Sequence, residues 1–165
     1  MFRSPEHRTG SGASDRGAAR PVAESARARH LLAACDLSRG GRAALCWAAE
    51  AARSADAPIT VVALARRERT DLGCGRCRQG AASWNQQLDE ITSEQLARAR
   101  ALIGDGLRVS FEVAEGPAVS AVAQVAVRVR ADLIVLPGHG LDWRRGASAA
   151  ARLRELGEWR VTVVR

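Results

Sequence analysis

Lysine and tyrosine are both absent from this sequence of 165 residues. Every one of its 25 basic side chains is therefore arginine; with 18 acids against them, the formal charge is +7. A chain that draws all its cations from arginine has the stamp of GC-rich coding, so part of this basic balance is a codon effect. Nucleic-acid binders gather their cations on one face or along one helix. Here the arginines are spread over the tail, the helices and the loops, which speaks against a specific nucleic-acid partner. Aromatics are scarce at 4%, so the core must rest on Val, Leu, Ile and four Trp.

Long apolar runs are lacking too. None approaches the roughly 20 residues that span a bilayer. Met1 to His30 carries no apolar segment of a secretory leader. Glu6, Asp15 and Glu24 make the same stretch more acidic than an organelle transit peptide. These absences predict a cytoplasmic protein with no membrane partner, whose cysteines Cys35, Cys46, Cys74 and Cys77 stay reduced.

Residues 1–28 read as a disordered tail, because Thr9 to Gly17 is small and polar with no period to bury. Residues 29–165 read as one α/β domain. His30 to Cys35 is a short apolar run ending at Asp36, as suits a strand buried on both faces. An Ala-rich helix follows from about Arg42 to Ser54, after a turn at Ser38 to Gly41. Ile59 to Leu64 is a second strand. Arg66 to Ala82 reads as a polar connection, with Ser83 as the N-cap of the next helix. Along that helix Trp84, Leu88, Ile91, Ala99 and Leu102 form an apolar stripe, with Trp84 expected in the core or as a loop anchor. Leu107 to Val113 alternates as an edge strand does, and Gly116-Pro117 opens the third helix. Asp132 to Leu136 is a fourth strand, Gly146 to Leu156 a helix, and Trp159 to Val164 a fifth strand.

This βαβαβαβαβ order predicts a doubly wound parallel sheet with helices on both faces. Ligands of such sheets bind at the carboxyl ends of the strands, where the strand order reverses. Asp36 and Gly138-His139-Gly140 are the natural candidates for that crevice.

The same pieces resemble the universal stress protein family. Leu31-Leu-Ala-Ala-Cys-Asp36-Leu-Ser38 resembles its first strand. Gly116-Pro117 matches the turn before its third helix. Ala131 to Gly140 resembles its fourth strand and glycine loop, and Val161 to Arg165 its last strand. The resemblance implies a five-stranded sheet in the order 3-2-1-4-5, homodimers, and a stress-response role without a reaction to catalyse. The apolar run Val161-Thr-Val-Val164, on an edge of that sheet, predicts that the homodimer pairs through the C-terminal strand. It also implies an ATP or other adenine-nucleotide site. The residues expected around it are Asp36, Ser38, Val62, Gly138, His139, Gly140, Arg144, Arg145 and Ser148.

The sequence departs from the ATP-binding branch of the family. There, spaced glycines ending in Gly-Ser or Gly-Thr let backbone N–H groups reach the phosphates at a helix N-terminus. Here the first glycine position falls on Pro137, which has no N–H, and Ala147-Ser148 stands where Gly-Ser belongs. Only Leu141 to Ala147 separate Gly140 from Ser148, so the loop is short, and Trp143 lies within it. Binding of ATP is therefore expected to be weak or lost. Asp36 either holds an adenosine or caps its own turn. Arg144 and Arg145 supply charge where backbone donors are missing.

Cys74-Gly-Arg-Cys77 carries a second reading, a thiol-redox or zinc sensor. A redox C-x-x-C sits at a helix N-terminus, and the expected helix starts several residues later. The pair is half of a structural zinc site, which needs four ligands.

Overall fold

A computed structural model describes residues 27–36, 38–65, 67, 74–138 and 146–165. Its strands are β1 (Leu31–Cys35), β2 (Ile59–Ala65), β3 (Val109–Glu115), β4 (Leu133–Pro137) and β5 (Arg160–Val164). The helices between them are α1 (Arg39–Ala55), α2 (Gly75–Ile103), α3 (Ala118–Val129) and α4 (Gly146–Leu156). All five strands are parallel, in the order β3-β2-β1-β4-β5, so the expected architecture is the observed one. The tail expected over residues 1–28 lies, up to residue 26, outside the described residues; Ala28 is buried.

β1 is central, and all five of its residues are buried. Side chains alternate across a strand. Leu31, Ala33 and Cys35 accordingly join a core with Leu45 and Ala48 of α1 and Ala99 and Ile103 of α2. Leu32 and Ala34 join a second core with Val122 and Val125 of α3 and Leu153 of α4. Only a sheet covered on both faces needs such doubly apolar runs. β3 has a single buried residue, Ala114, as befits an edge.

Two expectations on the second crossover need correction. α2 begins at Gly75, not at Ser83, so the C-x-x-C opens a helix instead of lying in a loop. Arg, Gln and Ala fill most of the added turns, and their helix propensity outweighs the cost of Gly75 and Gly80, about 1 kcal/mol each. The expected apolar stripe is also largely unused. Of its five residues only Ala99 is buried; Trp84 is 47%, Ile91 48% and Leu102 43% exposed, and Ile103, beside the stripe, is buried instead. For Trp84 and Ile91 the reason is length. At about 1.5 Å per residue, this helix of 29 residues is far longer than the β2 and β3 strands it covers, so its amino-terminal half overhangs the sheet. Its carboxyl half is fixed by the Arg53 guanidinium on the Ile103 carbonyl and by Arg100, 4.9 Å over the Phe111 ring.

Candidate functional site

The strand order reverses between β1 and β4, and the crevice lies over their carboxyl ends. Asp36 follows β1 directly and is 1% exposed. Its Oδ1 accepts from the Ser38 amide at 3.1 Å and from the Ser38 hydroxyl. Ser38 in turn caps α1, its Oγ accepting from the Gly41 amide at 3.0 Å. The helix therefore begins at Arg39, three residues before the expected start, because the turn at Ser38 to Gly41 is its first turn. The open alternative for Asp36 is thus half answered: one oxygen serves the turn. The other, Oδ2, is buried and has no hydrogen-bond partner among the described residues. A buried acceptor left unmatched carries a desolvation cost, and a hydroxyl or amino donor from a ligand would remove it.

On the β4 side the backbone is committed elsewhere. Pro137 pairs with Val164, and the Gly138 amide donates to the Val164 carbonyl at 2.6 Å. A Cβ on Gly138 would stand 2.9 Å from that oxygen. This glycine therefore serves the close approach of β5, and its N–H is not offered to the crevice. His139, Gly140, Arg144, Arg145 and Trp143 lie outside the described residues. Ser148 is exposed in the first turn of α4. Val62 is fully buried mid-strand beside Ala34, so its side chain belongs to the core.

The same edge of the sheet continues to β2 and β3, where a depression of about 620 Å³ is lined by Arg67, Glu115, Gly116 and Pro117. Arg67 donates to Glu115 at 2.5 Å and to both carboxylate oxygens of Asp89 on α2. Hydrogen bonds to Asp89 and then Glu115 raise its pKa further. Nothing in the sequence reading singled out this triad. Gly116, at φ +101°, makes the turn into α3 that an L side chain resists.

The cysteines fall into three environments. Cys35 is buried, and burial first, then the neighbouring Asp36 charge, push its thiol up to about 11. Cys46 is exposed on α1. Cys74 and Cys77 are exposed, with their sulfurs 3.1 Å apart. Among the described residues no three His, Cys, Asp or Glu gather as a metal site would require. No described helix is long and apolar enough to cross a membrane.

No curated protein matches this sequence. Solved structures do. UspA of Lactobacillus plantarum superposes with a TM-score of 0.67 at 15% identity, covering 82% of this chain and 97% of its own. A universal stress protein in complex with cAMP gives 0.58 at 19% identity, covering 84% and 97%. The universal stress protein of Archaeoglobus fulgidus in complex with dAMP gives 0.55 at 20%, covering 82% and 96%. At these identities the likeness is one of fold. The sequence itself supplies the rest, since the model of the Universal stress protein family matches residues 27–165. On that match, which takes in every element of the sheet, the chain belongs to the universal stress protein family.

Proposed function

We propose that this protein is a stress-response regulator of the cytoplasm that acts by binding, without turnover, and that grips adenine nucleotides by the nucleoside end. The observation that carries this reading is the unmatched Oδ2 of Asp36, buried where the strand order reverses. A ribose hydroxyl or an adenine amine is a donor of the right kind for it. Two proteins of the same fold hold cAMP and dAMP, ligands that share the adenine base and carry one phosphate.

The phosphate end of the site argues for weak ATP binding. Pro137 has no N–H to give, and the Gly138 N–H is spent on Val164. A backbone hydrogen bond to a charged oxygen contributes about 1.5–3 kcal/mol, so each donor lost weakens binding roughly tenfold to a hundredfold. Arg144, Arg145 and Ser148 are the remaining groups of this reading for the phosphates, with His139 and Gly140 in the loop and Ser38 beside Asp36. Residues 1–28 act as a tail to the domain of residues 29–165, and the working unit is a homodimer joined through β5.

Calorimetry with ATP, ADP and AMP tests the reading. Weak affinities that differ little among the three are expected. Micromolar or tighter binding of ATP, with a clear preference over AMP, overturns it.

A further inference from the structure

Independently of any nucleotide, the other end of α2 places two thiols in a reactive arrangement. Cys74 is the N-cap of α2 and Cys77 lies in its first turn. At a helix start the first amides have no partner within the helix. Cys74 has an extended backbone, and its side chain makes no capping hydrogen bond to those amides. The first turn carries no acid, and Arg76 and Arg78 flank Cys77. The helix dipole and both guanidinium groups therefore favour a thiolate here.

The neighbourhood is open. Every residue from Cys74 to Gly80 is exposed, and a shallow hollow lined by Cys74, Arg76 and Cys77 admits a small molecule. The sulfur separation of 3.1 Å exceeds a disulfide bond by about 1 Å, a gap that side-chain rotation closes. The Cys77 thiol, followed by the backbone amides of Cys77 and Arg76, lowers the pKa of Cys74. Cys35, by contrast, is buried and pushed the other way.

We propose that Cys74 and Cys77 form a redox-active dithiol that exchanges with anionic low-molecular-weight disulfides, Cys74 attacking and Cys77 resolving. In the first step the Cys74 thiolate attacks one sulfur of R–S–S–R. The Cys74–S–S–R bond forms, the R–S–S–R bond breaks, and RS⁻ leaves and takes a proton from water. In the second step Cys77 gives its proton to solvent and its thiolate attacks Sγ of Cys74. The Cys74–Cys77 bond forms, and the second RS⁻ departs and is protonated. Two protein thiols are thereby oxidised and one external disulfide is reduced to two thiols; excess thiol runs the steps backwards. The order of attack follows from position. Cys74 stands at the helix end, where the amides of Cys77 and Arg76 act on it, whereas Cys77 lies inside the first turn, its sulfur 3.1 Å from that of Cys74.

The test treats the reduced full-length chain with glutathione disulfide, quenches with acid and maps the products by peptide mass spectrometry. The wild type should end with Cys74 joined to Cys77. Cys77→Ser should hold glutathione on Cys74. Cys74→Ser should react at Cys77 about tenfold more slowly. Cys46, exposed on the same molecule, is the internal standard. Modification of Cys74 no faster than that of Cys46, or equal rates in the two serine variants, overturns the proposal. So does stoichiometric zinc that blocks both thiols in the purified chain. Cystamine, a cationic disulfide, reacting as fast as glutathione disulfide overturns the anionic preference.

Discussion

Gly41 lies so close to Asp36 that a Cβ on it would enter both the carbonyl oxygen and Oδ1 of the aspartate, and would stand 2.8 Å from its carbonyl carbon. The first turn of α1 is thus pressed onto the end of β1, and the contact with the backbone carbonyl is one that no rotamer change of Asp36 relieves. Gly41→Ala should cost about 1–3 kcal/mol, seen as a melting temperature lower by roughly 5–10 °C. A variant that melts with the wild type would show that the two elements sit further apart.

Asp36→Asn separates the two carboxylate oxygens by role. The asparagine oxygen keeps the bonds from Ser38, while an amino group replaces the unmatched Oδ2. Stability should change little. Affinity for AMP should fall about tenfold or more, because an acceptor has become a donor. Calorimetry on the two proteins decides; an unchanged AMP affinity would remove Asp36 from the ligand.

At the amino edge of the sheet, His30 Nε2 lies 2.8 Å from the buried Thr60 hydroxyl, which is 2.7 Å from that of Ser110. Burial lowers the His30 pKa below 6.5, against the smaller upward pull of Asp132. The folded state therefore binds its proton less readily than the unfolded chain. The resulting stability is complete above about pH 6.5 and is lost as the pH falls from there through the lowered folded value. Melting curves from neutral to mildly acidic pH should show this loss in the wild type and a flatter profile in His30→Gln. Parallel profiles would dismiss the histidine.

β5 ends the sheet, and its outer edge has no neighbouring strand among the described residues. An edge carrying Val161-Thr-Val-Val164 invites pairing, and two-fold symmetry covers both copies at once. Light scattering should give the mass of two chains at working concentration. A monomer mass that stays constant on raising the concentration would leave β5 as a bare edge.

The five strands were legible because each is an unbroken apolar run or a clear alternation closed by a turn signal. Asp36 was legible because it ends such a run. The start of α2 was not, since glycine, cysteine and arginine between Arg66 and Ala82 look like a loop, and helix propensity is only a weak local signal. Gly138 read as part of a ligand loop; its use in seating β5 depends on Val164, which meets it only in the folded chain. The Arg67 triad was invisible for the same reason, its acids lying 22 and 48 residues away. The unmatched Oδ2 of Asp36 is a fact about three-dimensional surroundings, which no spacing encodes.

Mechanically, α2 is a cantilever. Its root is clamped in the core at Ala99 and Ile103, and its tip, with both thiols, stands free in solvent. The prop is Arg67, which holds the shaft at Asp89 with part of its guanidinium and the end of β3 at Glu115 with the rest. Such exposed ion pairs are worth little energy, but they fix where a deflection goes. A bend begun at the tip arrives at Arg67 before it reaches the root, and from there at the rim of the sheet where ligands of this architecture sit.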